Sequence, residues 1–288
     1  MTNLTNSVEK LSVALVTRNR AESLARTLES LKRQNIQPFE IVISDDSDIE
    51  TEIRLNKKLA LQYSCKYVQG PERGLYANRN FVAKHCSGTH IRTMDDDHEF
   101  PENHINECIK AINEEQNTIW TIGEYYPPDK TRSLPAPIAG QLHPRGYSYP
   151  PKNINKYYGI SCGASIYPRS VIDRNILNLE CYKFGILYLE YGARLYKNGY
   201  VIKPLNSTYV IHHYDENNRS VSSKEIIRSA EIFSMLMLSF YHMREFKKYS
   251  LTTLEIIKKI IFDNYSLSTV YGAYLQYQKE SQTLQITH

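Results

Sequence analysis

The strongest constraint on the fold is the alternation of short apolar segments with helical patterns in the first third of the chain. Leu24, Leu28 and Leu31, for example, recur at the spacing of one helix face between two apolar segments. Alternating strands and helices predict a mostly parallel sheet with right-handed crossovers, hence a Rossmann-like α/β fold with helices flanking the sheet. The predicted strands cover residues 11–16, 40–44, 65–68 and 89–94.

Polar residues directly follow three of these predicted strands. Ligands bind beyond the carboxyl ends of the strands in such sheets, so we expect these residues to converge on one edge and to contact a substrate. The candidates are Thr17, Arg18 and Asn19 after the first strand, Asp45 and Asp46 after the second, and Asp95, Asp96 and Asp97 after the fourth.

The three consecutive carboxylates at 95–97 repel one another, and a divalent cation with oxygen ligands would relieve that repulsion. A solvated acidic turn is the alternative interpretation. Arg79 on the preceding predicted helix and Arg18 after the first strand add positive charge, and the helix that begins near Gly74 presents free N–H groups. Cations of this kind beside a carboxylate–metal centre suit a phosphate chain with several negative charges.

Some of these polar residues also fit structural roles. Asn19, followed three residues later by Glu22, has the pattern of a helix N-cap with a reciprocal partner. Asp45 or Asp46 could accept a hydrogen bond from a nucleotide base or ribose, or could cap the following helix.

Composition bounds the class of protein. The chain has 288 residues, a net charge of +4 and 41% hydrophobic residues, which predicts a folded globular protein and indicates no nucleic-acid partner. It has no apolar run of about 18 residues and no secretory leader pattern, so we expect a cytoplasmic protein, with peripheral contact at the inner membrane face left open. Its five cysteines form no Cys-x-x-Cys pair and predict free thiols.

The chain divides into a predicted sheet domain over 1–222 and a helical C-terminal extension over 223–288. Within the first part, residues 124–158 are rich in Pro and Tyr and predict a binding loop on the acceptor side. We expect two apolar stripes of the extension to pack onto the core or a second subunit, as in a homodimer, rather than onto a membrane surface. The stripes are Ile226, Ala230, Phe233, Met237 and Phe240, and Leu254, Ile257, Ile260 and Ile261.

The chain contains eight short motifs. Each is a weak indication of a protein family by itself, but their order and spacing together are a strong one. In chain order they are VALVTRNR (13–20), ESL (29–31), FEIVISDDS (39–47), ANRN (77–80), MDDD (94–97), GA (163–164), RLYKNGY (194–200) and HH (212–213). Together they resemble the family 2 glycosyltransferases, which have the GT-A fold and transfer sugars from nucleotide-diphosphate donors. The resemblance covers about residues 11–215.

The resemblance implies how the chain would hold the donor. Thr17 and either Asp45 or Asp46 would contact the nucleotide base, usually uracil. Arg79 would approach the diphosphate, and Asp95 would lie towards the ribose.

The resemblance also implies a metal site and a sugar site. Asp97 would bind Mn²⁺ or Mg²⁺, and His212 or His213 would add a further ligand, although a His pair after a strand also fits a structural or exposed role. Gly163 and Ala164 would form the floor under the donor sugar, where a larger side chain would clash.

An inverting transferase needs a carboxylate that takes the proton of the acceptor hydroxyl. In the family this base lies six residues before the arginine that matches Arg194, and that position is Tyr188 here. Glu190 is the nearest carboxylate and our candidate base. The alternative role for Glu190 is an ion pair with Arg194 at i, i+4.

The sequence therefore predicts a metal-dependent glycosyltransferase that moves a sugar, most simply from a UDP-sugar, to an acceptor hydroxyl with inversion. The sequence does not identify the acceptor, which could be a sugar, a lipid-linked glycan or another glycoconjugate. One alternative is a nucleotide-sugar-binding protein with weak or no catalysis, because Tyr188 replaces the base. Another is a nucleotidyltransferase, which the lack of glycine at 17–20 disfavours.

Overall fold

The fold was analysed in a computed structural model. It describes residues 9–125, 141–143, 145, 147–149, 159–160, 163–185, 187–213 and 223–286. Most of the predicted acceptor-side loop over 124–158, and Cys162, lie outside the described residues. The four described cysteines are free thiols.

Ten strands are present in the described part of the chain. They are β1 (Leu11–Thr17), β2 (Glu40–Asp45), β3 (Lys66–Gln69), β4 (His90–Asp95), β5 (His98–Glu99), β6 (Thr118–Tyr125), β7 (Gln141–His143), β8 (Tyr147–Tyr149), β9 (Ser165–Pro168) and β10 (Val201–His212). Strands β7 and β8 form a separate antiparallel pair.

The described helices flank the sheet and form the C-terminal part of the chain. They are α1 (Ala21–Lys32), α2 (Glu50–Gln62), α3 (Leu75–His85), α4 (His104–Glu114), α5 (Arg169–Asp173), α6 (Tyr188–Lys197), α7 (Lys224–Leu236), a π-helical segment (Met237–Met243), α8 (Phe246–Phe262) and α9 (Leu267–Ile286). No helix within these described bounds combines the length and the apolarity that a membrane span requires.

The eight-stranded sheet has the order β3-β2-β1-β4-β9-β6-β10-β5. Strands β1 to β4 are parallel to their neighbours, as predicted, whereas β9 runs antiparallel between β4 and β6. The register aligns Thr17 with Asp45 and Val16 with Asp95, so the carboxyl ends of β1, β2 and β4 lie side by side. The predicted mostly parallel α/β fold with flanking helices is confirmed.

The core under this edge is apolar. Val13 and Leu15 of β1 are fully buried and share a hydrophobic cluster with the stripe of α1 formed by Leu24, Leu28 and Leu31. Burial of each such side chain contributes about 1.5–3 kcal/mol relative to exposure. The apolar core thus fixes the strands whose polar ends form the candidate site.

The predicted N-cap at Asn19 is wrong. Helix α1 begins at Ala21, and Arg20 before it makes no capping side-chain bond. Asn19 has a left-handed backbone (φ 52°), and its side-chain oxygen accepts hydrogen bonds from the backbone N–H groups of Asp48 and Ile49 instead. The left-handed turn thus directs the Asn19 amide to the loop before α2, and it ties the loops after β1 and β2 together.

The two predicted stripes of the extension differ in burial. In the first, Ala230, Phe233 and Met237 are fully buried, and the last two lie in the hydrophobic cluster that contains Leu195 of α6 and Ile202 of β10. The second stripe does not pack onto the core, and packing against a second subunit stays a prediction. Three of its residues, Leu254, Ile257 and Ile261, are exposed on α8.

We predict that Phe233→Ala lowers the free energy of unfolding by about 3–5 kcal/mol, because it leaves a cavity in a core shared by α7, α6 and β10. Ile226→Ala on the same helix is the matched control, since Ile226 is 42% exposed. Chemical denaturation followed by circular dichroism would measure both. If the C-terminal helices unfolded in a transition of their own, and Phe233→Ala shifted only that transition, the result would contradict a core shared with the sheet.

Candidate active site

The three carboxylates at the end of β4 point to three different sets of partners. Asp95 is the last residue of the strand, and Asp96 and Asp97 form the turn into β5. Because the turn lies between parallel strands β1 and β4 on one side and β10 on the other, each carboxylate meets groups from distant parts of the chain. The predicted convergence of polar residues at this edge is present.

Asp95 is held by Arg79. The Nη2 atom of Arg79, on α3, lies 2.6 Å from Oδ2 and 2.8 Å from Oδ1 of Asp95. Gly163 lies against the same pair, and a Cβ atom on Gly163 would stand 2.5 Å from Asp95 Oδ2 and 3.1 Å from Arg79 Nη2. Only glycine therefore allows the backbone to approach this ion pair so closely. Neighbouring Ala164 is fully buried in the core beneath.

Asp96 points inward. Its Oδ2 accepts a hydrogen bond of 2.7 Å from Thr17, and its carboxylate forms an ion pair with Arg20. Thr27 donates to the backbone oxygen of Asp96 from α1. Burial is the main reason why the pKa of Asp96 rises to about 7, and the charge of Arg20 opposes that rise. The hydrogen bond between Asp96 and Thr17 thus holds the turn on its buried side.

Asp97 faces two imidazoles. One carboxylate oxygen of Asp97 lies 3.4 Å from Nε2 of His212, and the other lies 3.9 Å from Nε2 of His98. The carboxylate and the two rings can each direct one ligand atom to a common point, because these atoms lie within 4.8 Å of one another. Among the described residues this is the one such group of metal-ligating side chains.

The surroundings of the two rings fit a metal ion. His98 is completely buried, and neither of its ring nitrogens has a hydrogen-bond partner, which is costly unless a ligand satisfies them. Nδ1 of His212 lies 3.0 Å from Glu124 Oε2, so Glu124 orients the ring with Nε2 towards Asp97. A carboxylate behind the ring is the usual support of a metal-ligating histidine.

The protonation of this group follows from its charges. Burial opposes a proton on His212, but hydrogen bonds to Asp97 and Glu124 raise its pKa to about 10. Burial also opposes the charge on Asp97, yet the hydrogen bond from His212 and the charge of His98 hold its pKa below the usual value. Burial lowers the pKa of His98, and the charge of Asp97 opposes that change.

The two histidines at 212–213 separate in space. His213 Nε2 lies 2.8 Å from Glu99 Oε2, and the His213 backbone N–H donates to the Asp97 carbonyl. Its ring is not in the group formed by Asp97, His98 and His212. The sequence left open which of the pair reaches Asp97, and the structure brings His212 there.

Asp45 and Asp46 are both buried at the end of β2. The oxygens of Asp45 accept hydrogen bonds from Asn56, Tyr67 and the backbone N–H of Ser47, which lies before α2 and is not one of its capped N–H groups. Asp46 accepts from a backbone N–H in the loop before α3. Burial raises the pKa of Asp46. These bonds hold the loops around the site together.

Arg18 lies at the rim of this edge. Its Nη2 atom is 3.0 Å from Asp48 Oδ2, and both side chains are substantially exposed. Arg20, two residues later, is less exposed than Arg18. Besides its ion pair with Asp96, its Nη1 atom lies 3.1 Å from Asp97 Oδ2.

Three important residues of the site were not predicted. His98 follows the acidic triplet directly, and this adjacency was an available signal. Arg20 lies in the predicted first loop without a distinguishing pattern. Glu124 stands 88 residues from His212 in sequence, so only the pairing of β6 with β10 shows their contact.

Glu190 does not occupy the position of a base. It is fully buried on α6, where it accepts hydrogen bonds from Arg194 Nε at 2.8 Å and from His242 Nε2 at 3.1 Å. Burial alone would raise the pKa of Glu190, but the charge of Arg194 and the bond from His242 lower it to about 2. A carboxylate so firmly ionised and enclosed is a poor proton acceptor, and the structure supports the ion-pair alternative.

We predict that Glu190→Gln lowers the free energy of unfolding by about 3 kcal/mol, because it leaves the buried charge of Arg194 without its partner. Glu114→Gln, on the exposed end of α4, is the matched control and should change little. Thermal or urea unfolding measures both. Unchanged stability of Glu190→Gln would contradict a structural role.

Comparison with known proteins identifies the family of the chain. The family model of Glycosyl transferase family 2 matches residues 12–176, more than half of the chain. The chain is 35% identical over 104 residues to the uncharacterized glycosyltransferase YwdF of Bacillus subtilis and 32% identical over 100 residues to the putative glycosyltransferase EpsE of the same organism. These alignments cover 36% and 33% of the chain, and 38% and 36% of the two relatives.

Solved structures share the fold at low identity. S. aureus TarS 1-349 in complex with UDP-GlcNAc matches with a TM-score of 0.65 and 18% identity, over 92% of this chain and 79% of that one. GalNAc-T7 with UDP, GalNAc and Mn²⁺ matches with a TM-score of 0.64 and 14% identity, over 94% and 55%.

The mannosyltransferase PcManGT from Pyrobaculum calidifontis, in complex with GDP-Man and Mn²⁺, matches with a TM-score of 0.59 and 13% identity, over 98% of this chain and 79% of that one. The GT-A fold expected from the motifs is thereby confirmed. Of the activities weighed from the sequence, the family match supports sugar transfer over nucleotidyl transfer. The chain belongs to glycosyl transferase family 2.

Proposed function

We propose that the chain is a glycosyltransferase that uses a UDP-sugar and a divalent metal ion, and transfers the sugar to an acceptor hydroxyl with inversion. The observation that carries this proposal is the group of Asp97, His98 and His212 beside the Asp95–Arg79 ion pair. A carboxylate, two imidazoles and a guanidinium at one sheet edge suit a diphosphate that departs with negative charge.

Asp97, His98 and His212 would hold the metal ion. When bound, such an ion acts as a Lewis acid that stabilises negative charge on the diphosphate. Imidazole nitrogens suit transition metals, whereas Mg²⁺ prefers oxygen ligands, so this donor set favours Mn²⁺ over Mg²⁺. Glu124 would keep Nε2 of His212 directed at the ion through its bond to Nδ1.

Arg79 and Asp95 would contact the donor on the other side of the turn. Arg79 is only slightly exposed, and its guanidinium already lies against a carboxylate in fixed geometry. Such a preorganised cation loses little side-chain entropy when a phosphate binds beside it. Gly163, whose backbone lies directly against this pair, would form the floor below the sugar.

The choice of UDP is supported by the relatives in fold. TarS and GalNAc-T7 have UDP or a UDP-sugar in their structures, whereas PcManGT has GDP-Man. Thr17, Asp45 and Asp46 would shape the base site from the ends of β1 and β2.

Inversion is proposed on the resemblance to family 2, and the anomeric configuration of the product, read by NMR, tests it.

We predict that Mn²⁺-dependent binding of UDP weakens about hundredfold in Asp97→Asn, which removes the negative charge of one ligand, and in His98→Gln, which removes an imidazole nitrogen. His213→Gln is the matched control, since that ring pairs with Glu99. Isothermal titration with Mn²⁺, with Mg²⁺ and with a chelator measures the effect, and Mn²⁺ should support tighter binding than Mg²⁺.

Unchanged UDP affinity in Asp97→Asn, or equal affinity with Mn²⁺ and with a chelator, would overturn the metal assignment. A loss in His213→Gln that equals the loss in His98→Gln would transfer the ligand role from one histidine to the other.

We predict that Gly163→Ala weakens donor binding about tenfold, because the new methyl group would displace Asp95 or Arg79. Gly272→Ala is the matched control, since a Cβ there meets no atom within 4 Å and the residue lies on α9. UDP-sugar titration of both variants measures the change. Wild-type affinity in Gly163→Ala would show that the Asp95–Arg79 pair does not contact the donor.

A further inference from the structure

Helix α8 exposes an apolar stripe along its outer face. Phe246 is 84% exposed, Leu254 and Ile261 are each 62% exposed, and Ile257 is exposed between them. At about 100° per residue these four side chains fall within an arc of about 80°. Exposure of several large apolar side chains on one face of a helix indicates a docking surface rather than scattered surface residues.

The opposite face of α8 is already packed, which fixes how the helix is oriented. The ring of Tyr249 stacks on Phe240 with centroids 4.7 Å apart, and the hydroxyl of Thr252 lies 2.6 Å from that of Ser239. Ile256 packs against the same hydrophobic cluster as the π-helical segment. The helix therefore cannot turn its apolar stripe inward without breaking these contacts.

Positive charge borders the stripe. Residues 244–262 contain five basic and two acidic residues, a net charge of +3. Lys247 and Lys258 are exposed and lie on the same side of the stripe, about 100–120° from Phe246 around the helix axis. The two acids lie within ion-pair distance of basic side chains, since Glu245 pairs with Lys248 and Glu255 contacts Lys258.

We propose that α8 lies on the surface of an anionic lipid bilayer, with Phe246, Leu254, Ile257 and Ile261 inserted among the acyl chains. A helix with an apolar face of Phe, Leu and Ile and a lysine-bearing border is the form that lies in the plane of a membrane interface. The bordering lysines would contact the negative head groups, each adding attraction that salt weakens.

The charge pattern disfavours an antiparallel pairing of two copies of the chain through α8. In an antiparallel pairing of two α8 helices about a twofold axis, the lysine-bearing borders of both copies would lie side by side and repel each other. An anionic head-group layer is complementary to the same border along its whole length. For this stripe, a lipid surface therefore takes the place of the core or second subunit that the sequence predicts.

Sedimentation of the full chain with vesicles tests the proposal. The chain should sediment with vesicles of phosphatidylcholine containing one third phosphatidylglycerol, and should stay in the supernatant with vesicles of phosphatidylcholine alone. Binding should fall as salt is raised, because the head-group attraction is screened.

Variants separate the apolar and the charged contributions. Leu254→Gln, Ile257→Gln and Ile261→Gln together should weaken vesicle binding at least about tenfold, and Lys247→Glu with Lys258→Glu should do so as well. Leu61→Gln and Lys58→Glu on α2 are matched controls, because Leu61 is 82% exposed and Lys58 is exposed on a different helix. Circular dichroism confirms that each variant is folded.

A fluorescent reporter tests insertion directly. The single native tryptophan, Trp120, is buried in the sheet core, so it gives a constant background. In Phe246→Trp, the fluorescence of the introduced tryptophan should shift to shorter wavelength when anionic vesicles are added. In Leu61→Trp, the emission wavelength should stay the same.

Three results would overturn the proposal. They are an absence of wild-type binding to anionic vesicles, equal binding by the apolar triple variant, and a concentration-dependent dimer in solution that the triple variant abolishes without any vesicle binding. None of these readouts depends on donor binding or turnover, so they are distinct from tests of the proposed function.

Discussion

The structure depends on how it holds three consecutive carboxylates at the carboxyl end of β4. Charges of one sign so close together in a partly buried turn repel strongly unless each meets an opposite charge or a donor. Arg79 neutralises Asp95, and Arg20 bridges Asp96 and Asp97. Asp97 alone also faces imidazoles, so the acidic turn is stabilised on two sides and leaves one carboxylate available for a cation.

The sheet topology explains why this arrangement forms at one edge. Strands β1, β2 and β4 are parallel and end together, whereas β9 enters antiparallel between β4 and β6. The segment before β9 therefore brings Gly163 to the Asp95–Arg79 pair, and β10 brings His212 to Asp97. The turn at the end of β4 meets both because it lies between the two halves of the sheet.

A second buried charge cluster links the C-terminal helices to the sheet domain. Glu190 and Arg194 on α6 meet His242 of the π-helical segment, and the adjoining helix α7 places Phe233 in the shared core. This packing holds α8 in a fixed orientation, with one face on the protein and the other exposed. The same interactions that enclose Glu190 thus determine which face of α8 remains exposed.

The order of strands and helices, the acidic triplet and the family were evident in the sequence, because apolar periodicity and short motifs depend on neighbouring residues. The roles of single side chains were not. Asn19 supports a different helix from the predicted one, Glu190 pairs rather than catalyses, and His98 joins His212 across more than a hundred residues. These outcomes depend on long-range packing and on left-handed or buried geometry, which only the tertiary structure determines.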